Sequence, residues 1–212
     1  MPYRKFALSV GEHYHIYNRG NNFGDVYFHR EDYVLFLRLL RKYLVASGAV
    51  ELAAYCLMPN HFHLLALLLT DRISASMQPM MLAYTKTINH KYGRVGALIQ
   101  GRFKAVHVSQ DNHRAVLMEY IHRNPVEAGL AVSAQAWEFS SYRDYLGLRR
   151  GTLVPQRRLD DGVREMTPIG TESFGATEMA MIEAVAIDAD PNPSSEVKRV
   201  WGSGSGHPAR SA

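Results

Sequence analysis

The predicted order of elements is strand, helix, strand, strand, helix, strand, helix. That order defines an α+β chain: an antiparallel sheet with helices packed on it. Three observations carry it. Residues 31–47 (EDYVLFLRLLRKYLVAS) place apolar side chains at helical spacing with charges on the other side. The apolar runs 50–58 and 61–69 are separated only by Pro59 and Asn60, which is hairpin spacing. The second run, HFHLLALLL, is apolar on both alternating faces, the composition of a central strand covered on both sides. The first six elements match the split βαβ, ferredoxin-like pattern. The seventh must pack against the same sheet.

Taken in order, residues 13–18 (HYHIYN) are aromatic and β-branched and stop at Arg19-Gly20-Asn21-Asn22, a strand followed by a turn. Gly48 is a stop for the first helix. Residues 74–92 read as a second helix, with Pro79 expected near its true start. Residues 93–101 form a glycine-rich loop, and 102–108 (RFKAVHV) alternate as a strand. Asp111 is the expected N-cap of a helix from 112 to 124, which Pro125 should end or bend. These elements make one domain over residues 1–150. Residues 151–212 form a C-terminal extension with one further helix expected at 177–187 and a Gly-, Ser- and Pro-rich end with the composition of disorder.

The 212 residues suffice for one sizeable core. Cys56 is the single cysteine, which excludes an intrachain disulfide and a cysteine-built zinc site. The N-terminus lacks the apolar run of a signal peptide, and the longest apolar stretch is too short to span a bilayer. A soluble, cytoplasmic protein without a membrane partner is the expectation. The formal charge is +4, and its distribution matters more than its size. Between Lys86 and Arg114 lie Lys86, Lys91, Arg94, Arg102, Lys104 and Arg114 against a single acid, Asp111. Phosphate contacts from Arg94, Arg102 and Lys104 would supply affinity for nucleic acid, and Tyr92 and Phe103 would stack unpaired bases. A merely solvated charged surface has the same composition.

His61 and His63 are two apart on a strand and therefore share a face, where two imidazoles can hold a divalent metal. Polar residues at a strand end have the same pattern. Tyr120 and Asn124 stand one helical turn apart and share a helix face, although a core tyrosine and a helix-ending Asn would too. Together the two pairs meet the needs of one reaction. Tyrosine attacks phosphorus and keeps the DNA end as an ester. A metal held by two His and one amide oxygen neutralises charge on the phosphate.

Several blocks, in order, resemble the REP-associated tyrosine transposases within the single-tyrosine, His-hydrophobic-His (HUH) superfamily. They are Tyr14-His15-Ile16-Tyr17-Asn18-Arg19-Gly20, the run from Tyr55 through His61-Phe62-His63 to Leu64, Gln100-Gly101-Arg102-Phe103-Lys104, and Tyr120-Ile121-His122-Arg123-Asn124-Pro125 onward to Leu130. Trp137 to Tyr142 also fits and reads as packing. The resemblance covers about residues 10–148. It implies single-stranded DNA substrates with hairpins (REP-like repeats), Mg²⁺ or Mn²⁺ as cofactor, His61, His63 and Asn124 as ligands and Tyr120 as nucleophile. Related insertion-sequence enzymes place Gln where Asn124 stands. His15 and Asn18 would support the site or cap the strand. A DNA-hairpin-binding protein without cleavage activity, or a replication initiator or relaxase, would keep much of the same constellation. Monomer and homodimer with shared sites are both open.

Overall fold

The computed structural model describes residues 7–108, 111–156 and 158. The capping side chain of Asp111, the helix expected at 177–187 and the C-terminal tail lie outside what is described.

Four strands, β1 (His13–Arg19), β2 (Val50–Met58), β3 (His61–Leu68) and β4 (Lys104–Val108), form one antiparallel sheet in the order β2-β3-β1-β4. That order and the intervening helices α1 (Arg30–Leu40) and α2 (Ile73–Lys91) are the expected ferredoxin-like arrangement. A π-type turn at Arg41–Val45 extends α1. The strand expected from residue 102 begins at Lys104.

Alternation along the strands assigns the two faces. Phe62 points to the face of α1 and α2, where its ring lies 5.0 Å from Phe36, itself 5.1 Å from Tyr84. His61 and His63 point the other way, and there the last long helix, α3 (Asp111–Glu127), packs over β2 and β3. Helices thus cover both faces, which is why β3 is apolar on both alternations. Asp32 ties α1 to the end of α2. It caps α1 through the His29 N–H, pairs with Lys91 at 2.8 Å and accepts from the Tyr92 hydroxyl at 2.8 Å.

Pro125 does not end α3. The helix runs to Glu127 and closes at Gly129 (φ +67°). There the Leu130 N–H reaches the Pro125 carbonyl at 2.8 Å and the Gly129 N–H the Val126 carbonyl at 2.9 Å, the paired bonds of a Schellman stop. Pro79 likewise sits inside α2, six residues past its start.

The outer edge of β2 is covered by residues 137–141. Trp137 Nε1 donates to the Leu57 carbonyl at 3.0 Å, the Leu57 N–H to Phe139 and the Ser141 N–H to Tyr55. Pairing removes an exposed edge that would otherwise invite aggregation. A short helix, α4 (Tyr142–Tyr145), follows. Packing continues past residue 150, with Leu153 and Val154 buried in the core. Cys56 is buried as well. No helix among the described residues is long and apolar enough to cross a membrane.

After β1 the chain doubles back so tightly that a Cβ on Gly20 would lie 1.8 Å from the Gly24 carbonyl oxygen. The clash is with backbone, so Gly20→Ala is expected to cost about 3 kcal/mol, at the upper end of overpacking losses. Urea denaturation would read this as a lower midpoint at unchanged slope.

Candidate active site

Strand register brings the site together. On β1, Tyr17 is opposite His63 and Arg19 is opposite His61; on β4, Lys104 is opposite Tyr17. His15, Tyr17, Arg19, His61, His63 and Lys104 therefore share the face under α3. The His61 and His63 rings are 4.9 Å apart and nearly perpendicular. His63 and His15 are joined by a 2.8 Å bond between His63 Nδ1 and His15 Nε2, and Tyr17 stacks on both rings. Tyr120 comes down from α3 with its ring edge-on to His63, centroids 5.8 Å apart, within the same chain. The Lys104 ammonium lies 5.7 Å from the Tyr17 ring centre.

Whether these residues fit a divalent metal can be tested on their hydrogen bonds. The Asn60 side-chain NH₂ donates to the Phe23 carbonyl at 3.3 Å, so its oxygen faces His61 Nδ1 at 2.6 Å. An amide oxygen only accepts, so His61 carries its proton on Nδ1 and presents a bare lone pair on Nε2. When His63 donates Nδ1–H to His15, its Nε2 is bare in the same way. Metal-bound histidines are held by partners of this kind. Among the described residues no group of three or more His, Cys, Asp or Glu is arranged to hold a metal ion. Among the described residues, further protein ligands would then be amides, with water or substrate filling the other positions. Asn124 is buried one turn beyond Tyr120, and its NH₂ donates to the Tyr120 carbonyl at 2.7 Å. Its Oδ1 is the atom left for a ligand role.

Burial keeps the imidazoles neutral, as ligation requires. It lowers His15 to about 3, helped by the charge of His61, and His61 to about 4, helped by Arg19. Burial, then His61 and His15, drives His63 well below its ordinary value. His122, which bonds Ser141 Oγ at 2.8 Å, falls to about 3 through burial alone. Unfolded histidines take up protons near 6.5, whereas folded His15 and His122 do so only near 3. Their stability contribution is complete above pH 6.5 and is lost as pH falls toward 3. The loss is about 1.4 kcal/mol per histidine per pH unit. Thermal melts of chelator-treated protein should show a steadily falling Tm below pH 6.5.

The remaining sequence-predicted residues divide. Phe103 is buried in the core, so its ring is not available to stack a base; this corrects the stacking role expected of it. Tyr92 packs against Phe28 at 4.7 Å with its hydroxyl spent on Asp32. Arg94 lies over the Phe28 ring, and Arg102 is exposed. Asn18 points away from the histidines. Its NH₂ donates to the Gly101 carbonyl and its oxygen accepts the Arg19 N–H, latching the glycine-rich loop to β1. Sequence reasoning missed Arg19, Tyr17 and Asn60. The period of two along β1 from His15 was the signal for the first two.

The family model described as "Transposase IS200 like" matches residues 12–124, more than half of the chain. The chain belongs to this family. It is thus a transposase-type protein, of an enzyme class that processes DNA. The transposase is also similar to a solved REP-associated tyrosine transposase bound to a REP hairpin. The TM-score is 0.58 and the identity 19%, over 83% of this chain and 96% of that one. That likeness supports the fold. A putative transposase from Deinococcus radiodurans R1 aligns with a TM-score of 0.38 and 18% identity, over 58% of this chain and 96% of that one. No curated protein matches the transposase.

Proposed function

We propose that this chain nicks and rejoins hairpin-bearing single-stranded DNA of the REP-repeat type, through a 5′-phosphotyrosine on Tyr120. The observation that carries the proposal is the Tyr120 ring standing edge-on to His63 in its own chain. His61 and His63, with Asn124 Oδ1 as third donor, would hold Mg²⁺ or Mn²⁺. Such an ion supplies positive charge to the phosphate oxygens.

The chain's own groups do the rest. The Tyr120 hydroxyl gives up its proton to water, which returns one to the departing oxygen, and the tyrosine oxygen bonds to phosphorus. The bond to the 3′ oxygen breaks, and that oxygen leaves as a 3′-OH after taking a proton. The ester conserves the energy of the broken linkage, so a 3′-OH can attack it and restore the tyrosine. His15 and Asn60 fix the orientation of His63 and His61. Lys104 and Arg19 bring positive charge to the same face. A tyrosine and histidines that meet in one chain fit a site that works without borrowing a helix from a second copy.

The test is incubation of the full chain with 3′-labelled hairpin DNA and Mn²⁺, followed by denaturing electrophoresis. The label should travel with the protein. Hairpin binding without a denaturation-resistant adduct would instead identify a binding protein that does not cut.

A further inference from the structure

The two aromatics that the sequence offers for base stacking are engaged elsewhere, Phe103 in the core and Tyr92 against Phe28 and Asp32. A different aromatic, Phe23, is tied to His61 through Asn60. Phe23 is 42% exposed, although the Arg19 guanidinium lies over its ring at 4.2 Å. Its backbone is left-handed (φ +60°), directly after another left-handed residue, Asn22 (φ +53°). A bulky aromatic in that region is a true conformational outlier, and such strain gathers at functional sites.

The surroundings over-determine this conformation. Gly20 approaches Gly24 too closely for any side chain, and the Gly24 N–H bonds the Asn21 carbonyl at 3.0 Å. Asn60 is the connection to the site: its NH₂ holds the Phe23 carbonyl while its oxygen holds His61 Nδ1. Arg19 is the second connection, as the residue opposite His61 in the sheet and as the cation on the Phe23 ring. It is steadied in turn by a bond from its Nε to Gln100 Oε1. The Phe23 backbone is thus tied to His61 through Asn60, and the guanidinium on its ring belongs to the residue opposite His61 in the sheet.

We propose that Phe23 and Arg19 form a nucleotide platform. Phe23 stacks the unpaired base next to the scissile phosphate, and Arg19 contacts a phosphate of that nucleotide. Every base has a π-face, so the platform accepts a base without reading its identity. The strained backbone keeps the ring presented when no DNA is bound. The platform rests on the proposed single-stranded DNA activity, and the experiment separates the two.

The full chain carrying Tyr120→Phe is mixed with a DNA hairpin flanked by short unpaired tails. 2-Aminopurine, whose fluorescence is quenched by stacking, is moved one position at a time through the tails. Quenching is expected at one position beside the hairpin. Phe23→Gly should remove it and weaken binding about ten-fold, the effect of losing one stacked base. Its Tm should hold or rise, because glycine relieves the left-handed backbone. Phe23→Trp should restore both the quenching and the affinity. If Phe23→Gly binds and quenches as before, or if no position is quenched on binding, the platform is wrong. Failure of the tyrosine chemistry reads differently: the chain with native Tyr120 would form no adduct while the Phe23-dependent quenching persists.

Discussion

Tyr120→Phe should abolish the covalent adduct and slow strand cleavage by roughly a thousand-fold or more, the scale on which loss of a nucleophile is felt. Only one oxygen is removed. The ring that packs edge-on to His63 stays, and Tyr120 is half-buried against the core, so the fold and DNA affinity should be nearly unchanged. Single-turnover cleavage with labelled hairpin DNA measures the rate, and fluorescence anisotropy measures the binding. Retained cleavage would remove Tyr120 from the chemistry. Lost binding would show instead that the hydroxyl serves the DNA interface.

His63→Ala should be comparably severe for a different reason. It deletes one bare imidazole nitrogen from the proposed metal site and leaves the buried His15 with neither ring nitrogen bonded, because His15 Nδ1 already has no partner. An unsatisfied buried polar atom costs about 1–3 kcal/mol, so Tm should fall together with activity. Mn²⁺ titration of the chain separates the two effects. His63→Ala should lose Mn²⁺ binding. His15→Phe, which removes only the orienting partner, should weaken binding by about 10–100-fold. Equal Mn²⁺ affinity in native and His63→Ala chains would show that the histidine pair does not hold the metal.

Periodicity and motif make much of the fold and the site legible in the sequence. The helix of 31–47, the hairpin at Pro59-Asn60 and the shared faces of His61/His63 and Tyr120/Asn124 all follow from spacing within one element. Cross-strand register does not, since it is set by long-range pairing. Arg19 and Tyr17 therefore joined the site only when β1 was laid beside β3. Pro125 reads as a helix end because a proline disfavours helical geometry at the residue before it, whereas the stop depends on bonds that converge four and five residues on, at Gly129 and Leu130. Phe103 looked available because it adjoins basic residues, yet alternation in the strand does not say which side meets the core. The left-handed backbone of Phe23 is the least legible feature. No propensity favours it, and it exists because Gly20, Gly24 and Asn60 close the loop around it.

The central claim is that Tyr120, placed beside His63, becomes covalently joined to DNA. Its most direct test is protease digestion of the adduct formed with hairpin DNA and Mn²⁺, with mass spectrometry of the nucleotide-bearing peptide. The nucleotide is expected on Tyr120, in the peptide that continues through Ile121 and His122. Its appearance on Tyr17, Tyr92 or any other residue would contradict the claim.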